Sequence, residues 1–202
     1  NDSSSDIGFN VWVVENITKD NGVQGVQNRV TRIKYSYNDG SYDYRDREFR
    51  GFNLAKEIIE NKIVDHFFHQ DDARKGLEYS ARILDNQQNL IEDNNKIWNI
   101  TNNGNYFIVN LISDSISTYD GNPNNPKIRG KDYNYDSYGN IIFIHSLGDL
   151  ALQGDERYEY FEYVYNTSRW IVDKLKNYSL FDSYNQNRLK QAIYNYDGLA
   201  YS

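Results

Sequence analysis

Asp65, His66, His69, Asp71 and Asp72 crowd one short stretch of the chain. Groups of these types hold metals or move protons when they converge on one face. On a strand, residues three apart point to opposite faces, whereas on a helix they would be neighbours. The flanking Ile63-Val64 and Phe67-Phe68 pairs suit a strand, so a structural role for both histidines is expected rather than a chelate. His145 stands alone after the apolar Ile141–Ile144 run and is assigned no function. The acidic pairs Asp71-Asp72, Glu92-Asp93 and Asp155-Glu156 could cleave glycosides if two carboxyls faced a cleft at the right separation. In an acidic, turn-rich chain they read as solvated loop residues. Arg47, Glu48 and Arg50 suggest Glu48 clamped between guanidinium groups as a structural network across strands. Tyr158, Tyr160, Tyr163 and Tyr165 could stack on sugar rings, but such a stripe reads first as a cross-strand packing ladder. Asn16, Asn99, Asn166 and Asn177 begin N-x-Ser/Thr triplets, which an Asn-rich chain produces by chance.

Three common catalytic signatures are missing: a Gly-x-Ser-x-Gly elbow, a P-loop and a glycine-rich dinucleotide fingerprint. With no cysteine, thiolate catalysis, thiolate metal sites and disulfides are excluded. The sequence therefore assigns no catalytic, cofactor-binding or metal residue, and no cofactor; the expectation is a protein that is not an enzyme.

Something must nevertheless fold 202 residues whose mean hydropathy is −0.83 and whose apolar share is 39%. Aromatics reach 15%, including 19 Tyr, and each ring can cover a sheet face while its hydroxyl stays wet or bonded. A net charge of −7 argues against nucleic acid or an anionic membrane as partner. No run of about 18 apolar residues exists to span a bilayer as a helix. The chain starts at Asn1 with no visible signal peptide and is read as cut from a longer one.

The elements follow from periodicity and turn chemistry. Val11–Val14, with Ile17, reads as a buried strand, and residues 21–25 as a loop. Val30–Tyr37 alternates with period two, with a slip between Val30 and Ile33 that suggests a bulge. Asn38-Asp39-Gly40 reads as a hairpin turn leading to Tyr42, Tyr44 and the Glu48–Phe52 strand. Leu54–Val64 fits a helix face or strands, and its neighbours favour strands. Further strands are expected at Leu77–Leu84, Leu90–Ile100, Tyr106–Ile112, Ile141–Ile144, Tyr158–Tyr165, Trp170–Val172 and Tyr178–Tyr184. Turns or loops fall at Asp85–Asn89, Asp120–Pro126 and Asp136–Asn140, and Arg188–Ala192 suits a helical turn. The fold class is all-β, antiparallel strand–turn repeats in a hairpin solenoid or spiralling sheet, with room for one or two short helices.

Several of these segments resemble the Rhs or YD-repeat proteins, in particular the B component of insecticidal toxin complexes, which is related to SpvB toxins. The matching residues are Val11–Val14, Tyr35-Ser-Tyr37, Gly40–Asp43, Arg47–Phe52, Phe67-Phe-His69, Lys75-Gly76, Tyr133–Asp136, Tyr138-Gly-Asn140 and Tyr196-Asp-Gly198. The Glu-Phe-Arg-Gly-Phe part is specific, and the Tyr-Asp units alone are weak. The repeats are degenerate at Asn166 and Asn185.

The resemblance implies a structural piece of a β-sheet shell, following a β-propeller, that encloses a toxic C-terminal polypeptide. The implied partners are the rest of the same shell, neighbouring toxin-complex subunits and the enclosed toxin. The implied setting is secreted or at the bacterial cell surface. On this reading residues 1–10 are linker or the end of a preceding module, 11–120 start the shell, and 121–202 are degenerate repeats. The alternative is a teneurin-like cell-surface module that binds a glycan or receptor. Unpaired strand edges would make the isolated piece self-associate.

Overall fold

The computed structural model describes residues 7–22 and 30–196. The expectations for residues 1–6, for most of the 21–25 loop and for Asp197-Gly198 lie outside these. The architecture is all-β: twelve antiparallel strands hydrogen-bond in sequence order into one open sheet. They are β1 (Asn16–Asp20), β2 (Val30–Asp43), β3 (Glu48–Ile59), β4 (Lys62–Phe68), β5 (Glu78–Asp85) and β6 (Leu90–Asn102). Then come β7 (Phe107–Thr118), β8 (Lys127–Tyr135), β9 (Ile141–Asp149), β10 (Arg157–Asn166), β11 (Ile171–Ser183) and β12 (Gln186–Ile193). A 3-10 turn at Thr167–Arg169 is the one helical element among the described residues. Leu54–Val64 is two strands, β3 and β4, reversing at Glu60-Asn61.

The chain forms two compact units: Asn1–Lys96 with Thr101–Val109 and Ser117–Pro126, and Ile97–Ile100 with Asn110–Ile116 and Lys127–Ser202. In the first, β2 to β6 stack two kinds of row. One runs Tyr35–Glu57–Val64–Ile83–Glu92. On the other face runs Lys56–Asp65–Arg82–Asp93, alternating in sign across four strands. Ion pairs close two of its steps, Lys56–Asp65 at 3.4 Å and Arg82–Asp93 at 3.8 Å. Opposite charges directly across a ladder stabilise one register, and a slip by one residue would move every charge to the other face.

In the second unit the corresponding material is aromatic. Across β9, β10 and β11, Phe143 pairs with Tyr160 and Tyr160 with Ser179, while His145 pairs with Tyr158 and Tyr158 with Phe181. Ring centroids lie 4.5 Å apart for His145–Tyr158, 4.9 Å for Phe143–Tyr160 and 5.5 Å for Tyr160–Phe181. The expected ladder is thus present for Tyr158 and Tyr160. Tyr163 instead bonds Ile141 O at the start of β9, and Tyr165 bonds Asp136 Oδ2 in the turn before it. Interior burial is slight. Among the described residues the buried apolar side chains are Ile33, Val64, Ala81 and Val164.

Five expectations are corrected. Val11–Val14 is not a buried strand: β1 begins at Asn16 and Trp12 is 98% exposed. The ladder to β2 ends with the Tyr35 N–H donating to Glu15 O, and beyond it a side chain, the Tyr37 hydroxyl, bonds Val14 O. Asn38-Asp39-Gly40 is not the hairpin turn but lies within β2, opposite Leu54 and Phe52. Asp39 has φ 54° inside that strand, and the register shift falls between Gly40 and Tyr42, where β3 carries one residue more than β2, rather than near Val30. A Cβ at Gly40 would crowd the tip of the Ile7 side chain and the Phe52 ring.

The chain reverses at residues 44–47 instead, where Asp43 Oδ1 accepts the N–H groups of Arg45 and Asp46. Arg188–Ala192 is not helical but belongs to β12, where pairing with β11 outweighs local propensity. Trp170 does not open a strand; it takes the left-handed conformation, φ 53° and ψ 40°, just before β11.

Candidate functional site

Arg50 is the centre of the densest charge cluster. Its guanidinium bonds Asp43 at 2.8 Å, Asp46 at 3.5 Å and also Asp72, and only 9% of its side chain is exposed. Glu48 is not clamped by Arg47 and Arg50 as the sequence suggests. It pairs with Lys75, because β3 places residues 48 and 50 differently from the turn at Arg47, where φ is 56°. Carboxylate oxygens of Asp43, Asp46 and Asp72 lie within 4.8 Å of one another, a spacing able to hold a cation. The cation present is Arg50. The N–H of Asp46 holds the Asp43 carboxyl below the usual aspartate range, outweighing burial, with help from Arg45 and Arg50.

The two histidines do not meet. His66, in β4, puts Nδ1 2.6 Å from Glu78, which also bonds Lys96 at 2.5 Å. His69, just past the strand, packs its ring on Tyr79 at 4.8 Å. Burial first, and the nearby Arg74 guanidinium second, push the His69 imidazole down. His145 stacks on Tyr158 at 4.5 Å and 13°. The acidic pairs are committed to turns and ladders. Asp71 accepts from the Ala73 and Arg74 N–H groups, Asp155 from the Asp149 N–H, and Glu156 from the Gly154 N–H. Asp93 sits in the charge row, and Glu92 accepts from Asn94. A cavity of about 550 Å³ beside the β5–β6 turn is lined by Leu90, Ile91, Tyr119 and Pro123 among others. Its one carboxylate, Asp85, is taken up by its own turn.

That turn has a twin. Asp85-Asn-Gln-Gln-Asn89 and Asp136-Ser-Tyr-Gly-Asn140 fold alike although they share only their end residues. In each, the aspartate Oδ1 accepts the N–H groups two and four residues on, and Oδ2 accepts the terminal asparagine amide. In each, the aspartate N–H donates to the asparagine carbonyl, at 3.0 Å. The fourth residue takes positive φ, 67° at Gln88 and 88° at Gly139. Sequence reading finds both as turns; their shared geometry goes with the Asp-x-x-x-Asn spacing, since the fourth residue differs, Gln88 in the first and Gly139 in the second.

Around the Asp136 turn three rings gather. Tyr138 lies 5.4 Å from Tyr165 at 31°, and 6.2 Å from Trp170 at 87°. The Tyr165 hydroxyl donates to Asp136 Oδ2 at 2.7 Å, and Asn140 ties the turn to Val172 O at 2.7 Å. Burial, then the bond to Asp136, push the Tyr165 hydroxyl up to about 12. Trp170 is held by its N–H donating to Thr167 O, with Asn166 Oδ1 accepting from the Arg169 N–H. A bulky residue in this backbone region stores about 1 kcal/mol of strain.

Residues 1–74 match the family model "Insecticide toxin TcdB middle/N-terminal region". No curated protein matches the chain. Among solved structures, TcdB2-TccC3 without its hypervariable C-terminal region aligns over 75% of this chain with a TM-score of 0.59 and 10% identity. TcdB2-TccC3-Cdc42 aligns over 75% with a TM-score of 0.57 and 10% identity. The Photorhabdus luminescens Tc holotoxin pore aligns over 75% with a TM-score of 0.58 and 12% identity. The chain spans 12% of the length of each of these chains. By sequence over residues 1–74 and by fold over three quarters of its length, this chain is similar to the TcdB component of insecticidal toxin complexes.

Proposed function

We propose that this chain is a length of wall in a toxin-complex shell of the YD-repeat kind, and that it performs no chemistry itself. The observation carrying this reading is the sheet: twelve strands in sequence order, with scarcely any buried apolar core among the described residues. Such a sheet separates two spaces better than it builds a pocket. The Asp43, Asp71, Asp85 and Asp136 carboxylates are spent on turns, which suits a structural role. The likeness of residues 1–74 to the TcdB middle/N-terminal region supports the same reading.

On this proposal residues 1–10 lead in from a preceding module, 11–120 begin the wall, and 121–202 continue it as degenerate repeats. The space enclosed holds a toxic C-terminal polypeptide, the partners are the rest of the shell and neighbouring complex subunits, and the assembly works outside the producing cell. The test is limited proteolysis of the product of the full open reading frame. A cleaved C-terminal piece that stays protected until the shell is denatured is the expected result. A C-terminal piece digested as fast as an unfolded chain would overturn the container reading.

A further inference from the structure

Tyr138, Tyr165 and Trp170 remain 41%, 47% and 75% exposed although they touch one another. Rings that only pack a sheet cover one another, as the half-buried Phe143, Tyr158 and Tyr160 do along the ladder. Here Trp170 is instead held outward on a left-handed backbone that glycine would adopt without strain. At roughly 150–250 Å² per aromatic side chain, these exposures leave on the order of 300 Å² of ring open. A standard protein interface needs about 800 Å² per partner. The patch is too small for that and matches one to three sugar rings.

Its shape fits the same class. The Tyr138 and Trp170 rings meet at 87°, giving a floor and a wall. A pyranose has an apolar C–H face to lie on one ring and a hydroxyl edge to turn toward polar groups. The Tyr165 hydroxyl has its proton committed to Asp136, so its oxygen is left as an oriented acceptor. The Asp136 carboxylate already accepts four bonds and adds a negative charge that repels anionic sugars.

We propose that Tyr138, Tyr165 and Trp170 form a binding site for neutral pyranose sugars, stacked on the Tyr138–Trp170 corner with a hydroxyl donated to the Tyr165 oxygen. The site lies in the unit containing β8–β12, and its existence does not depend on the wall reading.

The test is calorimetric titration of the intact chain with chitotriose, cellotriose and sialyllactose. Saturable binding of at least one neutral sugar is expected, in the micromolar to millimolar range, with sialyllactose at least tenfold weaker. Trp170→Gly removes the indole while suiting the backbone, so its fold is retained by circular dichroism and its affinity falls at least tenfold. Trp12→Ala, which removes an even more exposed indole elsewhere, leaves affinity unchanged. The proposal is overturned if none of the sugars binds, if sialyllactose binds as tightly as the neutral ones, or if Trp170→Gly binds as well as the parent chain.

Discussion

The aspartate-keyed turns make their contribution residue by residue. Asp136 accepts four hydrogen bonds, so Asp136→Ala strands several donors at once. An expected loss of about 2 kcal/mol, read from urea unfolding, follows from the cost of unmade bonds at a half-buried site. The positive-φ position offers a sharper comparison. Gln88→Gly should raise stability by about 0.5–1 kcal/mol, because Gln88 sits at φ 67° where only glycine is unstrained. Gly139→Ala, at φ 88°, should lower it by a similar amount. Equal effects of one sign from the two changes would contradict the shared geometry. Arg50→Ala leaves Asp43, Asp46 and Asp72 facing one another without their cation, and a loss of stability is expected in urea unfolding. Adding Asp43→Asn to that variant should recover part of it, which a double-mutant cycle reads directly.

Strands and turns set the pH dependence. Asp85 is held below the usual range by the Asn89 amide, and Asp149 by the Ala151 N–H together with Lys127. Burial pushes Asp71 and Asp136 upward, but bonds from Arg74 and Asn140 outweigh it and leave both lowered. Each group binds its proton less readily folded than unfolded. Their stabilisation is therefore present above the unfolded value of about 4 and lost as pH falls through the lower folded values. Tyr165 and Tyr178 run the other way, pushed up to about 12 by burial and by bonds to Asp136 and Glu159. Their stabilisation is present below the unfolded value of about 10 and lost as pH rises toward the folded one. Thermal melts across pH should show a plateau that falls at both ends. Asp136→Asn should shorten both falls, since it removes one lowered carboxylate and the anion that raises Tyr165.

Most of these elements were legible in the sequence, because period-two alternation and Asp/Asn/Gly turns are local signals. The errors share one cause. Whether Val11–Val14 or Arg188–Ala192 becomes a strand depends on a partner, β2 or β11, that local pattern does not reveal. Asn38-Asp39-Gly40 has the residues of a hairpin turn yet continues β2, because β3 pairs with it on either side. The aromatic corner was missed for a related reason. Tyr165 was visible as one of a stripe, yet its companions come from a turn at Tyr138 and a left-handed residue at Trp170.

At the scale of the molecule, an open sheet has ends. β12 lies at the end of the strand order, and its residues are almost all exposed, Leu189 among them. Self-association that grows with concentration is the expected behaviour of the isolated chain, checked by light scattering over a range of concentrations. Leu189→Lys, which places a charge on that edge, should reduce it; a monomer at all concentrations for the parent chain would show the edge to be harmless. Every strand pairs with its neighbours in sequence, from β1 to β12. Such a sheet needs no distant segment before it can form. Each new strand finds its template in the one just made, so loop closure stays short and folding can keep pace with emergence from the ribosome. A protein built this way can be lengthened by a strand pair without redesigning what came before, and its first strands can be paired before its last residue exists.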